Sequence, residues 1–322
     1  HPVSPSPGHP VTPSRDKEVR MPVRPIARRT LLLGAGATLL LSACGSGAGA
    51  DARPLGIAAI PDQDPELLNR LYPAVAKRFA DATGLDVVYR PVADYTAVVR
   101  AFEIGDVHLA WMGGLTGVQA RERKPGSTAI AQRDIDADFH SLFIAHTGSK
   151  LRPFKTTDGL RDLAGHTLTF GSETSTSGRL MPEYFMRQAG LKTSALRGKP
   201  GFSGSHDATI ELVASGSYEA GAVNEQVWKA TVAAGDIDES KVVVLWRTPG
   251  YADYHWLARP DLDKTFGAGT RKKVLDLLLG LDPQDAEDAK LLRLFGAKSF
   301  VPTRNSAYDQ IEDVARDLGL LR

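Results

Sequence analysis

The sequence predicts an α/β protein of two lobes, each built on its own sheet, joined by a hinge that the chain crosses twice. From residue 54 onward, strand-like runs alternate with segments of helical period, the pattern of mostly parallel sheets flanked by helices. Several of those runs end in glycine or hydroxyl residues just before a helix. In such folds ligands sit outside the carboxyl ends of strands, beside helix N-termini. No internal repeat and no low-complexity linker interrupts the alternation. Residues 138–147 and 248–259 are the candidate crossings, which divides the chain into lobe 1 (54–140 and 256–322) and lobe 2 (141–255).

The elements follow in order. Residues 55–60 form a short apolar run, the first strand. Residues 66–83 carry apolar side chains at 67, 68, 71, 75 and 79, a helical period, and Gly84 supplies the stop. Residues 86–89 read as a strand, 95–104 as a helix, and 107–111 as a strand that runs into Gly113-Gly114. A strand over 141–145 opens the second lobe. A short helix over 158–163, a strand over 167–170 and a helix over 179–188 come next. Residues 207–214 read as a helix, followed by strands at 221–223, 241–245 and 254–257. Residues 270–279, 285–294 and 307–318 have helical character.

Upstream of the fold lies an export signal. Residues 1–20 are rich in proline, serine and charge, without apolar period, and Met21 is the expected start. Arg24, Arg28 and Arg29 precede an apolar run over 31–41, which is far shorter than the ~18 residues a membrane-spanning helix requires. Arg28-Arg29 leaves two export routes open, general and twin-arginine. Cys44 is the single cysteine, so no intramolecular disulfide can form. It stands between the signal and a Gly/Ser/Ala tether that ends at residue 53. Leu41-Ser42-Ala43-Cys44 resembles the bacterial lipobox, which implies removal of residues 1–43, lipidation of Cys44 and anchorage without a spanning helix. The expected location is the outer face of the cytoplasmic membrane or the periplasm.

Charge excludes one class of partner. Residues 1–43 hold six basic and two acidic residues, and their removal leaves 33 basic against 36 acidic over 279 residues. No Lys/Arg block or stripe remains, so nucleic acid is not an expected partner.

The most informative stretch is Thr167-Leu168-Thr169-Phe170-Gly171-Ser172-Glu173-Thr174-Ser175-Thr176-Ser177-Gly178-Arg179. A β-rich run ends at glycine, passes through hydroxyls and enters a helix. Unpaired N–H groups, the positive end of the helix dipole and hydroxyl donors meet there, which suits an anion. The plain alternative is an ordinary N-cap, but Ser175, Thr176 and Ser177 in a row exceed what a cap needs. Gly204-Ser205-His206-Asp207 precedes the next helix in the same way. Asp207 reads as a cap. His206 is either a surface histidine or an imidazole donor. Asp94-Tyr95 opens a third helix, where Tyr95 either packs or sends its hydroxyl to the cleft. Trp111, at the end of a strand before Gly113-Gly114, is either core or an aromatic wall of the site.

These residues resemble a family. Pro61-x-x-Asp64, Asp94-Tyr95, Asp162-Leu163-Ala164-Gly165, Ser175-Thr176-Ser177-Gly178, Gly204-Ser205-His206-Asp207-Ala208 and Ala222-Val223-Asn224 stand in the order seen in ABC-importer solute-binding proteins for phosphonate, phosphite and phosphate. The wording Ile60-Pro61-Asp62-Gln63-Asp64-Pro65, with Arg179-Leu180-Met181-Pro182-Glu183-Tyr184, is most similar to a subset described as selenate importers. The resemblance implies a monomeric, bilobal type II binding-protein fold that closes on a tetrahedral oxyanion and delivers it to a permease with its ATPase. It assigns Ser175, Thr176, Ser177, His206 and Tyr95 to the anion. Two places depart from it. Trp111-Met112-Gly113-Gly114 replaces a Phe-Gly-Pro followed by tyrosine. Asn224-Glu225 stands where some relatives bind an amino group, so Glu225 either does that or faces solvent.

An inward carboxylate would favour a protonated phosphonate or phosphate over a fully ionised selenate or sulfate. Asp62, Asp64, Glu173 and Glu225 are the candidates. No cofactor or metal is implied. The rival readings are an exported hydrolase of phosphate or sulfate esters, with Ser175 as nucleophile and His206 as base, and a tethered anion sensor. Neither a G-x-S-x-G elbow, nor a G-x-x-x-x-G-K-[ST] loop, nor H-E-x-x-H supports an enzyme.

Overall fold

The computed structural model describes residues 53–321. The leader, the lipobox and the tether up to residue 52 lie outside the described residues. In chain order, the first part comprises β1 (Leu55–Ala59), α1 (Pro65–Thr83), β2 (Val87–Tyr89), α2 (Tyr95–Ile104), β3 (Leu109–Met112), α3 (Gly114–Arg123) and β4 (Thr128–Arg133). The middle part comprises β5 (Ser141–His146), β6 (Leu168–Phe170), α4 (Met181–Gln188), β7 (Gly201–Phe202), α5 (His206–Ala214), β8 (Ala220–Asn224), α6 (Glu225–Ala234) and β9 (Val242–Arg247). The last part returns with β10 (His255–Ala258), α7 (Leu262–Phe266), α8 (Thr270–Leu279), α9 (Ala286–Phe295), β11 (Phe300–Pro302) and α10 (Asp309–Asp317).

The strands make two sheets, ordered β11-β4-β10-β3-β1-β2 and β7-β6-β8-β5-β9. Both are mixed, which corrects the expectation of mostly parallel sheets. The β1–β2, β1–β3, β6–β7 and β6–β8 pairs are parallel, whereas β10 and β5 run antiparallel to both of their neighbours. The reason is the chain path: β5 and β10 are the first strands after the chain changes sheet, and each inserts from the opposite direction. The two connections lie side by side. Phe139 and Tyr251 exchange backbone hydrogen bonds of 2.8 and 3.0 Å, and the Asp253 N–H donates to the Asp136 carbonyl at 3.0 Å.

Local chemistry accounts for the elements nearest the site. All of β1 is buried, as a central parallel strand requires. Asp64 caps α1, accepting from the N–H groups of Glu66 and Leu67, and Leu68, Tyr72, Val75 and Phe79 bury one face of that helix. In β5, Leu142 and Ile144 face a cluster with Ile210, Val213 and Val223, while Phe143 and Ala145 join the larger core on the other face. The region expected as helix over 179–188 begins earlier, with one wide π-type turn over Thr176–Leu180 that feeds α4. Six elements had no sequence expectation: α3, β4, β7, α6, α7 and β11. Among the described residues no helix is long and apolar enough to cross a membrane.

Candidate functional site

The hydroxyl turn sits where β6 meets α4. Ser175, Thr176 and Ser177 are all at least 97 % buried. The Ser175 hydroxyl accepts the Gly178 N–H at 2.9 Å, so its own proton is left to donate outward. Gly178 is required here for space. A Cβ at this position would lie 2.8 Å from Ser175 Oγ and 3.0 Å from His206 Cε1. The turn is also bound across the cleft: Thr176 Oγ1 accepts the Leu115 N–H of α3 at 3.0 Å. The Ser177 carbonyl accepts from Ser141 Oγ at 2.7 Å.

His206 opens α5 and is fully buried; the cap is Ser205, which accepts the Ala208 N–H, and not the expected Asp207, which stands in the first turn. The Asn224 N–H donates to its Nδ1 at 3.3 Å, which places the proton of the neutral ring on Nε2. Burial lowers its pKa to about 3, so the ring is neutral near pH 7 and offers one N–H. Nε2 lies 3.5 Å from the Tyr254 hydroxyl. That hydroxyl accepts from Asn224 Nδ2 and donates to the Asp62 carboxylate, each at 2.9 Å. Asn224 also caps α6 through Oδ1, so its side chain positions its neighbours. The chain Asn224–Tyr254–Asp62 therefore links the second sheet, a connection and the loop after β1. The His206 N–H, donating to the Asp62 carbonyl at 3.0 Å, closes it.

A second buried acid faces the hydroxyl turn. Asp253, 1 % exposed, accepts the Gly114 N–H at 2.9 Å and lies beside the Thr176 and Ser177 hydroxyls. Its other oxygen, Oδ2, is buried without a hydrogen-bond partner among the described residues. Gly113 allows this convergence, since a Cβ there would meet Asp253 Oδ1 and Thr176 Oγ1 at 3.2 Å each. Burial pushes the Asp253 carboxyl up to about 7 and Asp62 up to about 6. Tyr95, the first residue of α2, is 2 % exposed, and its hydroxyl too lacks a partner although Ser175 lies beside it. Burial and the Asp62 carboxylate hold its pKa well above 10, so it remains a donor.

The remaining candidates are placed differently. Trp111 is a core residue, stacked on Tyr254 at 5.8 Å and packed edge-on against Phe295 and Phe300. It supports the site from behind. Arg133 lies in the same layer, 4.8 Å above the Tyr254 ring and paired with Asp136. Glu225 is held by Arg247 at 2.9 and 3.0 Å and by Lys229 at 2.9 Å. Burial raises its pKa, but these cations outweigh it and hold the carboxylate below the usual range. Its charge is thus spent within the protein. Asp64 and Glu173 are exposed. Of the four candidate carboxylates, Asp62 alone enters the hydrogen-bond network of the cleft.

Sequence reasoning missed Asp253 and Tyr254. The one local signal was an acid beside an aromatic residue at the expected last strand, 254–257. The arrangement suits capture of an anion: neutral hydroxyls and an imidazole N–H supply donors, and an unpartnered carboxyl oxygen supplies an acceptor. It does not suit hydrolysis. His206 Nδ1 is occupied by the Asn224 N–H and Nε2 faces Tyr254, so neither nitrogen is set to take the Ser175 proton.

Comparison with known proteins agrees. The profile of the family described as "ABC transporter, phosphonate, periplasmic substrate-binding protein" matches residues 57–308. The chain is 42% identical over 286 residues to the "Probable ABC transporter phosphite binding protein PhnD1" of Prochlorococcus marinus (strain MIT 9301), covering 88% of this chain and 96% of that protein. It is 26% identical over 281 residues to the "Phosphate-import protein PhnD" of Mycolicibacterium smegmatis, covering 80% and 84%. The crystal structure of the Prochlorococcus marinus (MIT 9301) PhnD1 in complex with methylphosphonate superposes with a TM-score of 0.82, covering 84% of this chain and all of that one. These relatives are substrate-binding components and not enzymes, and the chain belongs to the phosphonate-type periplasmic substrate-binding family of ABC transporters.

Proposed function

We propose that this chain is the lipid-anchored, monomeric receptor of an importer for phosphite or a small phosphonate, which it captures by closing two lobes. The observation that carries the reading is the convergence on one buried space of neutral donors with a single acceptor. The donors are Tyr95, Ser175, Thr176, Ser177 and His206, and the acceptor is Asp253 Oδ2. Relatives whose names carry phosphite and methylphosphonate support the class of ligand. Lobe 1 (54–140 and 256–322) and lobe 2 (141–255) turn about the paired connections, and the Leu41-Ser42-Ala43-Cys44 motif supplies the anchor.

Asp253 orders the ligands. A bound oxyanion and this carboxyl share one proton, which either partner can bring. A phosphonate monoanion brings its own. Selenate and sulfate bring none, so they require Asp253 already protonated, and their binding weakens as pH rises above about 7. Selenate thus becomes the weaker alternative within the same site.

The test is calorimetry with phosphite, methylphosphonate, 2-aminoethylphosphonate, phosphate, sulfate and selenate. Ser175→Ala/Thr176→Ala/Ser177→Ala should abolish binding of whichever anions the native protein takes, with circular dichroism unchanged. Retained affinity in that variant would refute the site.

A further inference from the structure

A groove on the described chain lies outside the oxyanion site. It encloses about 680 Å³ between the start of α1 on one side and α5 and α6 on the other. Its floor is apolar: Leu67, Ile210, Val227 and Ile237 line it. Its rim is acidic, with Asp64, Asp207, Glu211, Asp236 and Asp238 against Lys241. Three of these carboxylates have partners nearby. Asp64 caps α1, Asp207 accepts from Ser205 Oγ, and Asp238 faces Ser240 and Lys241. Glu211 and Asp236 form no ion pair with any described residue.

We propose that this groove is the surface on which a basic amphipathic segment of the permease docks, an inference that rests on the importer reading. Charge complementarity selects the occupant. Five carboxylates repel the transported oxyanion, whereas a segment with Lys or Arg flanking an apolar residue matches both rim and floor. The composition of the walls supplies the second argument. Gln63, Asp64 and Leu67 come from the lobe of the first sheet and the other lining residues from the second. The walls meet where the His206 N–H donates to the Asp62 carbonyl at 3.0 Å. The groove is complete only while the loop after β1 touches the start of α5. The docking surface and the site of the oxyanion's imidazole donor therefore share one junction, and a permease segment that fits the groove reads lobe contact directly.

The test uses the full lipid-anchored chain with its cognate permease–ATPase complex in proteoliposomes, methylphosphonate as ligand and ATP hydrolysis as readout. The double reversal Glu211→Lys/Asp236→Lys should raise the protein concentration for half-maximal stimulation at least about tenfold, with methylphosphonate affinity unchanged. Asp313→Lys, an exposed reversal on α10, should behave as the native protein. Added salt should weaken native stimulation more than that of the double variant. Native-like stimulation by the double variant overturns the docking surface, as does an equal loss in Asp313→Lys. Loss of methylphosphonate affinity by the same factor overturns it in favour of a role in closure. A change of association state in sedimentation overturns it in favour of a second copy of the chain. Native protein that binds methylphosphonate without stimulating hydrolysis overturns the importer reading and the groove together.

Discussion

Asp253 decides more than its surroundings in the sequence suggest. Its partners, Gly114 and Thr176, are far away in the chain, and locally only the neighbouring aromatic residue marks it. The hydroxyl turn is the opposite case. Ser175, Thr176 and Ser177 were legible because three donors in a row at a strand-to-helix junction exceed the needs of a cap. Position alone left His206 and Tyr95 open between donor and plain structural residue, and only the family resemblance made them candidates; Glu225 was ambiguous until Arg247 and Lys229 were seen to hold it. Asp253 also makes a prediction about stability. Its carboxyl is raised to about 7 in the fold against ~4 in an unfolded chain. The stability contributed by its protonated form is complete below pH ~4 and is lost as pH rises through about 7. The melting temperature of unliganded protein should therefore fall between about pH 5 and pH 8. Asp253→Asn should flatten most of that slope and gain on the order of a few kcal/mol at pH 8, leaving a smaller residue from Asp62. An unchanged slope, measured by scanning calorimetry, contradicts the assignment.

At the scale of elements, strand-to-helix junctions build the site and helix interiors only carry it. The starts of α2, α3 and α5 meet the turn before α4: Tyr95 lies beside Ser175, the Leu115 N–H donates to Thr176, and His206 lies against Gly178. The alternation was readable because β1, β3, β5 and β8 are short buried runs, whereas the caps Asp64, Ser205 and Asn224 emerged only with the structure. What was not readable has physical causes. α3 begins Gly-Leu-Thr-Gly and lacks a strong apolar stripe, and β4 draws its burial from β10 and β11. The direction of β5 and β10 depends on the path between sheets, which no local pattern encodes. Close packing of these junctions gives the second prediction. Gly178→Ala drives a Cβ against Ser175 Oγ and His206 Cε1, an overpacking of about 1–3 kcal/mol that should fall on binding. Oxyanion affinity should drop about tenfold to a hundredfold with the far-ultraviolet spectrum unchanged; native affinity in this variant disproves the tight fit.

The whole molecule couples two sheets through little material. Two connections paired at Phe139 and Tyr251 join them, and across the cleft the Asp62 carbonyl, Thr176 Oγ1, Tyr254 and Asp253 provide the contacts. The proposed closure would leave either sheet undisturbed, which is what a receptor that must release its ligand requires. Anchorage belongs to this scale too: Cys44→Ser should move the protein from the membrane to the soluble fraction of cells, and a variant that stays with membranes excludes lipidation. In the proposed function, neutral donors and one proton-sharing carboxyl select the anion. The most direct measurement is the affinity for methylphosphonate and for selenate at about pH 6 and about pH 8.5. Selenate affinity should fall about tenfold per pH unit above 7, methylphosphonate should lose less, and Asp253→Asn should remove the difference. Equal pH profiles for the two anions in the native protein would contradict the account.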